Sequence, residues 1–128
     1  MLAFDSFRME EGVPIYLQIM RFVERSIAAG TARDQEELPS RRTLSAMLGV
    51  NPNTVQKAYR LLEEEGLILS HTGAKSTVVA DEAAQSRVRG ELLQAEVRDT
   101  IAAMKHMGLS RQEALALVDQ LWKEGETP

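Results

Sequence analysis

Apolar residues recur at helical spacing near the start of the chain and predict a helix from Pro14 to about Ala29, ended by Gly30. The positions on its apolar face are Ile15, Ile19, Phe22, Val23 and Ile27. A stripe of this kind buries against partners, so we expect this helix to cover the core of the elements that follow. Residues 31–37 are polar and predict a loop.

The same spacing predicts a short second helix over Arg41–Leu48, with apolar positions Leu44, Met47 and Leu48. Ser40 is a good N-cap for this helix. Gly49 follows its last residue, where a sharp turn requires a left-handed conformation.

A third helix begins directly after this turn. Asn51 is its N-cap and Pro52 stands at the first helical position, where the missing N–H has no cost. The helix is predicted to run to about Glu65 and to be closed by Gly66. Its core face consists of Val55, Ala58, Leu61 and Leu62. The two helices and their turn predict a helix-turn-helix.

Two short strands, Leu67–Ser70 and Ser76–Ala80, are predicted on either side of residues 71–75. They form a β-hairpin beside the third helix, in the manner of a wing. The turn carries Gly73 and Lys75, which would let the wing touch a neighbouring groove or the backbone of a nucleic acid. The alternative is a purely structural hairpin that closes one edge of the core.

The C-terminal part predicts a linker, Asp81–Gln85, and then a long helix from Ser86 to about His106. Gly108 breaks this helix. Ser110 and Glu113 have the spacing of a capping box for a last helix to about Glu124.

Two helices cannot form a core alone, so their apolar faces need a partner surface. We expect the same helix pair of a second chain to supply it, in a four-helix dimer interface. The alternative is that they fold back on their own chain. The interface residues are predicted to be Leu93, Val97, Ile101, Met104, Leu117, Leu121 and Trp122.

The sequence thus predicts a mainly α fold with a small β-hairpin: a winged helix-turn-helix domain followed by a two-helix dimerisation tail. Residues 1–13 are expected to form an N-terminal arm, from which Phe4 and Phe7 are available to pack on the fold. Residues 14–80 form the winged domain and residues 81–128 the helical dimerisation region.

The distribution of charge points to DNA as the partner. The chain has a net charge of -4, yet residues 38–62 contain no Asp or Glu. The same stretch contains Arg41, Arg42, Lys57 and Arg60. Basic side chains near phosphates release condensed counterions, which favours binding to a polyanion. The alternative is an ordinary amphipathic helix pair with a solvated polar face.

The outward face at the start of the third helix is polar and is predicted to enter the major groove of double-stranded DNA. It consists of Asn53, Thr54, Gln56 and Lys57. Asn and Gln can pair with adenine through two hydrogen bonds, and Lys suits guanine or phosphate. His71 in the wing is either a DNA contact or a solvated side chain.

The sequence contains few features that would support a disulfide-stabilised protein, a membrane protein or an enzyme. There is no cysteine, no apolar run of about 20 residues, no phosphate-binding glycine loop and no nucleophile motif. We therefore expect a cytoplasmic, non-enzymatic protein with no cofactor and no metal. Whether a small-molecule effector binds in a cleft between protomers stays an open question. The main rival is a protein-interaction module that docks through the apolar C-terminal helices.

From Pro14 to about Val79 the chain resembles the winged domain of GntR-type bacterial transcription regulators. The motifs that carry the resemblance are PIYLQI, LPSRRTLSAMLGV and NPNTVQKAYRLLEEEGLI. The segment NPNTVQKAY, followed by a short helical tail, is most similar to the YtrA subfamily. This resemblance implies a homodimeric operator-binding protein, usually a repressor.

The resemblance also implies DNA contacts at Ser40, Arg42, Asn51, Asn53, Thr54, Gln56, Lys57, Tyr59 and the wing around Gly73. Arg41 is the adjacent basic residue and is expected to contact phosphate. Two departures from the family pattern stand out. Asp34-Gln35 occupies the place of a Pro-Gly turn, and the wing tip, Gly73–Thr77, is one residue longer than usual and lacks its second glycine.

Overall fold

A computed structural model describes residues 1–73 and 75–126. The described residues form five helices and one antiparallel hairpin, which confirms the predicted fold class. The elements are α1 (Ile15–Ala28), α2 (Arg41–Leu48), α3 (Pro52–Glu64), β1 (Ile68–His71), β2 (Lys75–Val78), α4 (Glu82–His106) and α5 (Arg111–Glu126). They fall into two compact units, Met1–Glu91 and the residues from Leu92 onward. No helix in the described ranges is both long and apolar enough to cross a membrane.

The core of the first unit lies where α1 and α2 pack on α3. Fully buried apolar side chains from the three helices meet there: Ile19, Val23, Ile27, Leu44, Val55 and Leu62. Two helical positions do not follow the apolar pattern. Gln18 is polar yet buried, and its side-chain amide is satisfied there because it donates to the carbonyl oxygens of Glu10 and Val13. Met47, predicted as apolar packing, is 53% exposed.

Local capping interactions set the bounds of α2 and α3. The Ser40 Oγ accepts a hydrogen bond of 3.0 Å from the Thr43 N–H, and Gly49 ends α2 with a φ of 67°. The Asn51 Oδ1 accepts a bond of 2.8 Å from the Asn53 N–H at the start of α3. Both predicted N-caps are therefore confirmed.

The hairpin pairs Ile68 with Val78 and His71 with Lys75. The first strand lies one residue later than predicted, and the second begins one residue earlier and ends two residues earlier than predicted. Gly73 has a φ of 81° in the turn, and Ala74 lies outside the described residues. Ile68 and Val78 face the core. The hairpin thus closes an edge of the core whether or not it also contacts DNA.

The predicted polar loop before α2 contains an extended segment along β2. The Val78 N–H donates to the Glu36 carbonyl at 2.8 Å, and the Leu38 N–H donates to the Ser76 carbonyl at 2.9 Å. Gln35 makes the turn into this segment with a φ of 66°. The left-handed conformation that glycine favours is therefore adopted by Gln35, in the place of the usual Pro-Gly turn.

The N-terminal arm packs on α1 through its aromatic side chains. The Phe4 ring stacks on Phe22 with 4.7 Å between centroids, and Phe7 meets Phe22 edge-on at 5.6 Å. The Leu2 N–H donates to the Glu37 carbonyl at 2.8 Å. The arm is therefore joined both to α1 and to the segment that borders the wing.

The predicted linker 81–85 is wrong, because α4 begins at Glu82 rather than at Ser86. The Asp81 Oδ1 accepts from the Ala84 N–H at 2.8 Å and so caps the helix. Ala84 and Val88 are buried in the first unit. This polar stretch is the first turn of a packed helix.

The second unit contains the remainder of α4 and the whole of α5. The predicted capping box is confirmed: the Ser110 N–H donates to Glu113 Oε1 and the Glu113 N–H donates to Ser110 Oγ, each at 3.1 Å. These bonds to Ser110 lower the pKa of the Glu113 carboxyl. The structure buries no residue of α5.

We expect Glu24→Gln to raise the free energy of unfolding at pH 7 and to have little effect near pH 4. Burial, reinforced by the carboxylate of Glu65, raises the pKa of Glu24 in the folded state. The folded state then holds the proton more tightly than the unfolded chain, so stability falls as the pH rises above the unfolded pKa of about 4.3. Glutamine removes the charge and hence this loss.

Urea unfolding at the two pH values tests this expectation, with Glu11→Gln in the exposed arm as the matched control. An equal gain at pH 4 and pH 7 would show that Glu24→Gln acts through packing rather than charge.

Candidate nucleic-acid interface

The first turns of α2 and α3 bring most of the predicted DNA-binding residues to the surface of the first unit. Arg42, Asn51, Asn53, Gln56 and Lys57 are exposed, and Ser40, Arg41 and Thr54 are half-buried. The surface lies at the N-terminal ends of two helices, where unpaired N–H groups and the helix dipoles favour an anion. We call these residues the recognition surface.

Cations on this surface are not neutralised by neighbouring acids. Within residues 1–73 and 75–126, no carboxylate oxygen lies within 4.0 Å of the charged nitrogens of Arg41, Arg42 or Lys57. Arg60, further along α3, pairs with Glu64 at 3.0 Å. The unpaired positive charge is therefore concentrated on the N-terminal halves of α2 and α3.

Lys57 is held in place by an aromatic ring of α1. Its Nζ lies 4.0 Å from the centroid of the Tyr16 ring, within the range of a cation–π interaction. Tyr16 lies in the motif PIYLQI, but no local pattern marks it as a neighbour of Lys57, because the two residues are 41 positions apart. The contact restricts the Lys57 side chain and so favours one position of its ammonium group.

Arg41 packs its guanidinium over the ring of Tyr59, 5.4 Å from the centroid. Its Nε is buried and has no hydrogen-bond partner in the described part of the chain. The residue as a whole is half-buried, so an external anion would meet the solvent-facing part of the guanidinium rather than the buried Nε.

Tyr59 itself is not on the recognition surface, which corrects the predicted DNA contact. The side chain is 1% exposed, and its hydroxyl donates to the Pro39 carbonyl at 2.7 Å. Burial raises its pKa well above the usual range, so the hydroxyl stays protonated. Tyr59 therefore belongs to the core and ties α3 to the residue before the N-cap of α2.

The two capping side chains have part of their hydrogen-bonding capacity in use. The Ser40 hydroxyl donates to Thr43 Oγ1 at 2.8 Å in addition to capping α2. The Oδ1 of Asn51 is occupied by its cap, which leaves the amide N–H groups for an outside acceptor. Both residues fix the position of a helix N-terminus.

The hairpin is braced against the end of α3 and across its own strands. Ser70 Oγ donates to Glu63 Oε2 at 3.1 Å, and the His71 ring Nε2 lies 2.8 Å from Thr77 Oγ1. Lys75 and Gly73 are exposed at the tip. The structure places His71, Gly73 and Lys75 together at one end of the hairpin.

A second candidate surface lies within the second unit, between α4 and α5. The two helices enclose a groove of about 630 Å³, lined largely by apolar side chains that include Val97, Ile101, Met104, Leu115 and Val118. Of the predicted interface residues, Met104 is half-buried, and the six others are exposed: Leu93, Val97, Ile101, Leu117, Leu121 and Trp122. An apolar area of this kind in water is typical of a protein interface.

The described residues contain no candidate metal-binding site. In the ranges that the structure describes, no three His, Asp or Glu side chains form a group that could hold a metal ion. Neither His71 nor His106 therefore belongs to such a cluster.

Comparison with known proteins gives a family for this arrangement. The model of the bacterial regulatory proteins of the gntR family matches residues 15–79, from α1 to just beyond β2. The HTH-type transcriptional repressor YtrA of Bacillus subtilis is 37% identical over 79 residues, which cover 62% of this chain and 60% of the repressor.

Solved structures resemble the chain over a greater length. A GntR family transcriptional regulator from Listeria monocytogenes has a TM-score of 0.78 at 28% identity and covers 88% of this chain and 98% of its own. YtrA from Sulfolobus acidocaldarius, a GntR-family transcription factor, has a TM-score of 0.53 at 28% identity and covers 94% and 98%. With a family match over half of its residues, the chain belongs to the gntR family of bacterial regulatory proteins, and it is similar to YtrA-type members.

Proposed function

We propose that this protein is a homodimeric transcription repressor that binds a two-fold operator through the recognition surface. The observation that carries the proposal is the exposed, acid-free surface at the start of α2 and α3. Such a regulator acts in the cytoplasm, where bacterial DNA lies, and needs neither a cofactor nor an enzymatic activity. Repression follows from the similarity to the Bacillus repressor YtrA.

In this proposal α3 enters the major groove with its N-terminus first. Asn53, Thr54 and Gln56 face base edges, and Lys57 reaches guanine or phosphate. The phosphates on either side of the groove are bound by Ser40, Arg41, Arg42 and Asn51. The wing residues His71, Gly73 and Lys75 contact the neighbouring backbone.

The dimer forms through α4 and α5, whose exposed apolar side chains a second copy would cover. We propose the arm at residues 1–13, the winged domain at 14–80 and the dimerisation region at 81–128. The first turns of α4, up to Glu91, belong to the first unit, so the dimer contacts would lie from Leu92 onward. A C2 dimer presents two recognition helices, which fit half-sites about 34–36 Å apart. A cleft between the protomers is where a small-molecule effector would bind.

Two substitutions separate phosphate contacts from base readout. Arg42→Ala should weaken binding to every DNA sequence and reduce the dependence of affinity on salt, because a phosphate contact carries no sequence information. Gln56→Ala should cost about 1–3 kcal/mol at a single base position and leave the salt dependence almost unchanged. Fluorescence anisotropy with the DNA upstream of the protein's own gene, single-base variants of it and scrambled DNA measures both effects.

Arg98→Ala on the exposed face of α4 is the control for the loss of one positive charge. Equal losses for Gln56→Ala on all base variants would show that Gln56 does not read a base. Unchanged affinity of Arg42→Ala would remove Arg42 from the interface.

The apolar groove favours a second candidate function, a protein-interaction module that docks through α4 and α5. The salt dependence of binding distinguishes this function from DNA binding. Affinity for DNA should fall steeply between low and physiological salt, whereas apolar docking should change little.

A further inference from the structure

A cationic pocket lies between the N-terminal arm and α1, separate from the recognition surface on α2 and α3. It has a volume of about 230 Å³. Arg8 of the arm and Arg21 and Arg25 of α1 contribute three guanidinium groups to its lining, and Glu10 contributes the lining's one carboxylate. Three positive charges against one negative charge form an unusual concentration in a chain of net charge -4.

These arginines form no close ion pair with an acid of the described residues, although the Glu24 carboxylate, also on α1, interacts with Arg21 and Arg25 at longer range. Among the described residues, no carboxylate oxygen lies within 4.0 Å of the guanidinium nitrogens of Arg8, Arg21 or Arg25. The Arg8 Nη1 instead donates to the carbonyls of Asp5 and Phe7, at 2.7 and 2.9 Å. These bonds orient the Arg8 side chain and leave its other N–H groups for a further acceptor.

The walls of the pocket are ordered and partly apolar. Phe7 and Phe22 line it, and both rings belong to the aromatic cluster that fixes the arm on α1. The buried Gln18 donates to the Glu10 carbonyl, and its Oε1 accepts from the Glu10 N–H. The other lining residues are polar and the three arginines are exposed, so the ordered walls contribute by fixing the arm beside α1 rather than by excluding water.

From this geometry we infer that the pocket binds a small anionic molecule through a phosphate or carboxylate group. Guanidinium groups pair with both groups through two parallel hydrogen bonds. The volume corresponds to roughly eight water molecules at about 30 Å³ each, so it holds more than inorganic phosphate alone. The ligand class is therefore a small phosphorylated or multiply carboxylated compound.

The position of the pocket indicates what such a ligand would do. The arm that forms one wall is hydrogen-bonded through Leu2 to Glu37, and Glu37 lies opposite Thr77 of β2. A ligand that fastens the arm to α1 would also stabilise the base of the wing. This consequence rests on the proposed function, but the binding of the anion does not.

Isothermal titration calorimetry of the full chain in phosphate-free buffer tests the site without DNA. The probes are inorganic phosphate, pyrophosphate and citrate, which compare the two anionic groups. We expect saturable binding at one site per chain for at least one probe, and at least tenfold weaker binding to the double variant Arg21→Ala/Arg25→Ala. Arg8→Ala should also weaken anion binding, and this variant leaves the sequence of α1 unchanged.

The matched control is Arg89→Ala/Arg98→Ala, which removes the same charge from exposed positions of α4. It should bind the probe as the unmodified chain does. Absence of saturable binding for all three probes, or equal binding by both double variants, would overturn the proposal. It would also be overturned if Arg21→Ala/Arg25→Ala kept its anion affinity but lost DNA affinity, because the arginines would then be DNA contacts.

Discussion

Ile101→Asp in α4 is expected to split the dimer and to lower the affinity for operator DNA by two orders of magnitude or more. Ile101 is 41% exposed in the single chain and lines the apolar groove between α4 and α5. In a C2 interface each substitution occurs twice, and each carboxylate would have to leave water for an apolar environment.

The loss of DNA affinity follows from the loss of the second recognition helix. Two linked half-site contacts exceed the affinity of one by about 10²–10⁴ through effective concentration alone. Sedimentation equilibrium gives the oligomeric state, and fluorescence anisotropy under the same conditions gives the DNA affinity.

Ala95→Asp is the matched control, because it adds the same carboxylate to an exposed position on the opposite face of α4. It should remain a dimer with unchanged DNA binding. A variant Ile101→Asp that still sediments as a dimer would contradict the proposed interface.

Tyr59→Ala is expected to remove a large part of the stability of the winged domain. Truncation of a large buried aromatic side chain costs about 3–5 kcal/mol, and the whole domain is stable by only about 5–15 kcal/mol. Tyr59→Phe keeps the ring and loses only the bond to the Pro39 carbonyl, which should cost about 1–2 kcal/mol. Urea unfolding measures both differences.

Tyr59→Phe also separates the core position from a DNA contact. Below its unfolding transition, this variant should bind DNA as the unmodified chain does, because the hydroxyl faces Pro39 and not the solvent. Tyr16→Phe, which keeps the ring beneath Lys57, is the control for the loss of a phenol hydroxyl. A tenfold loss of DNA affinity in Tyr59→Phe without a change in stability would show that the Tyr59 hydroxyl contacts DNA.

The features that could be predicted from sequence depend on neighbouring residues. The caps at Ser40 and Asn51, the turn at Gly49 and the capping box at Ser110 each involve residues no more than a few positions apart. Their side-chain chemistry is therefore visible in the sequence itself. The order of helices and hairpin follows from these signals and from helical periodicity.

The features that could not be predicted depend on distant partners. The extended segment before α2 forms because β2 offers it hydrogen bonds, and α4 begins early because Ala84 and Val88 find a core to pack on. Neither partner is visible in the local pattern. The burial of Tyr59 did have a signal, since it continues the helical stripe of Val55 and Leu62, but the family resemblance assigned Tyr59 to DNA.

Trp122 makes the association of the tail observable without a label. It is the chain's single tryptophan, and in the isolated chain it is 69% exposed on α5. An indole in water emits at longer wavelength than one covered by apolar side chains, so the emission spectrum reports whether the face of α5 is covered. Emission spectra recorded over a dilution series would give the dissociation constant of the dimer without any change to the protein.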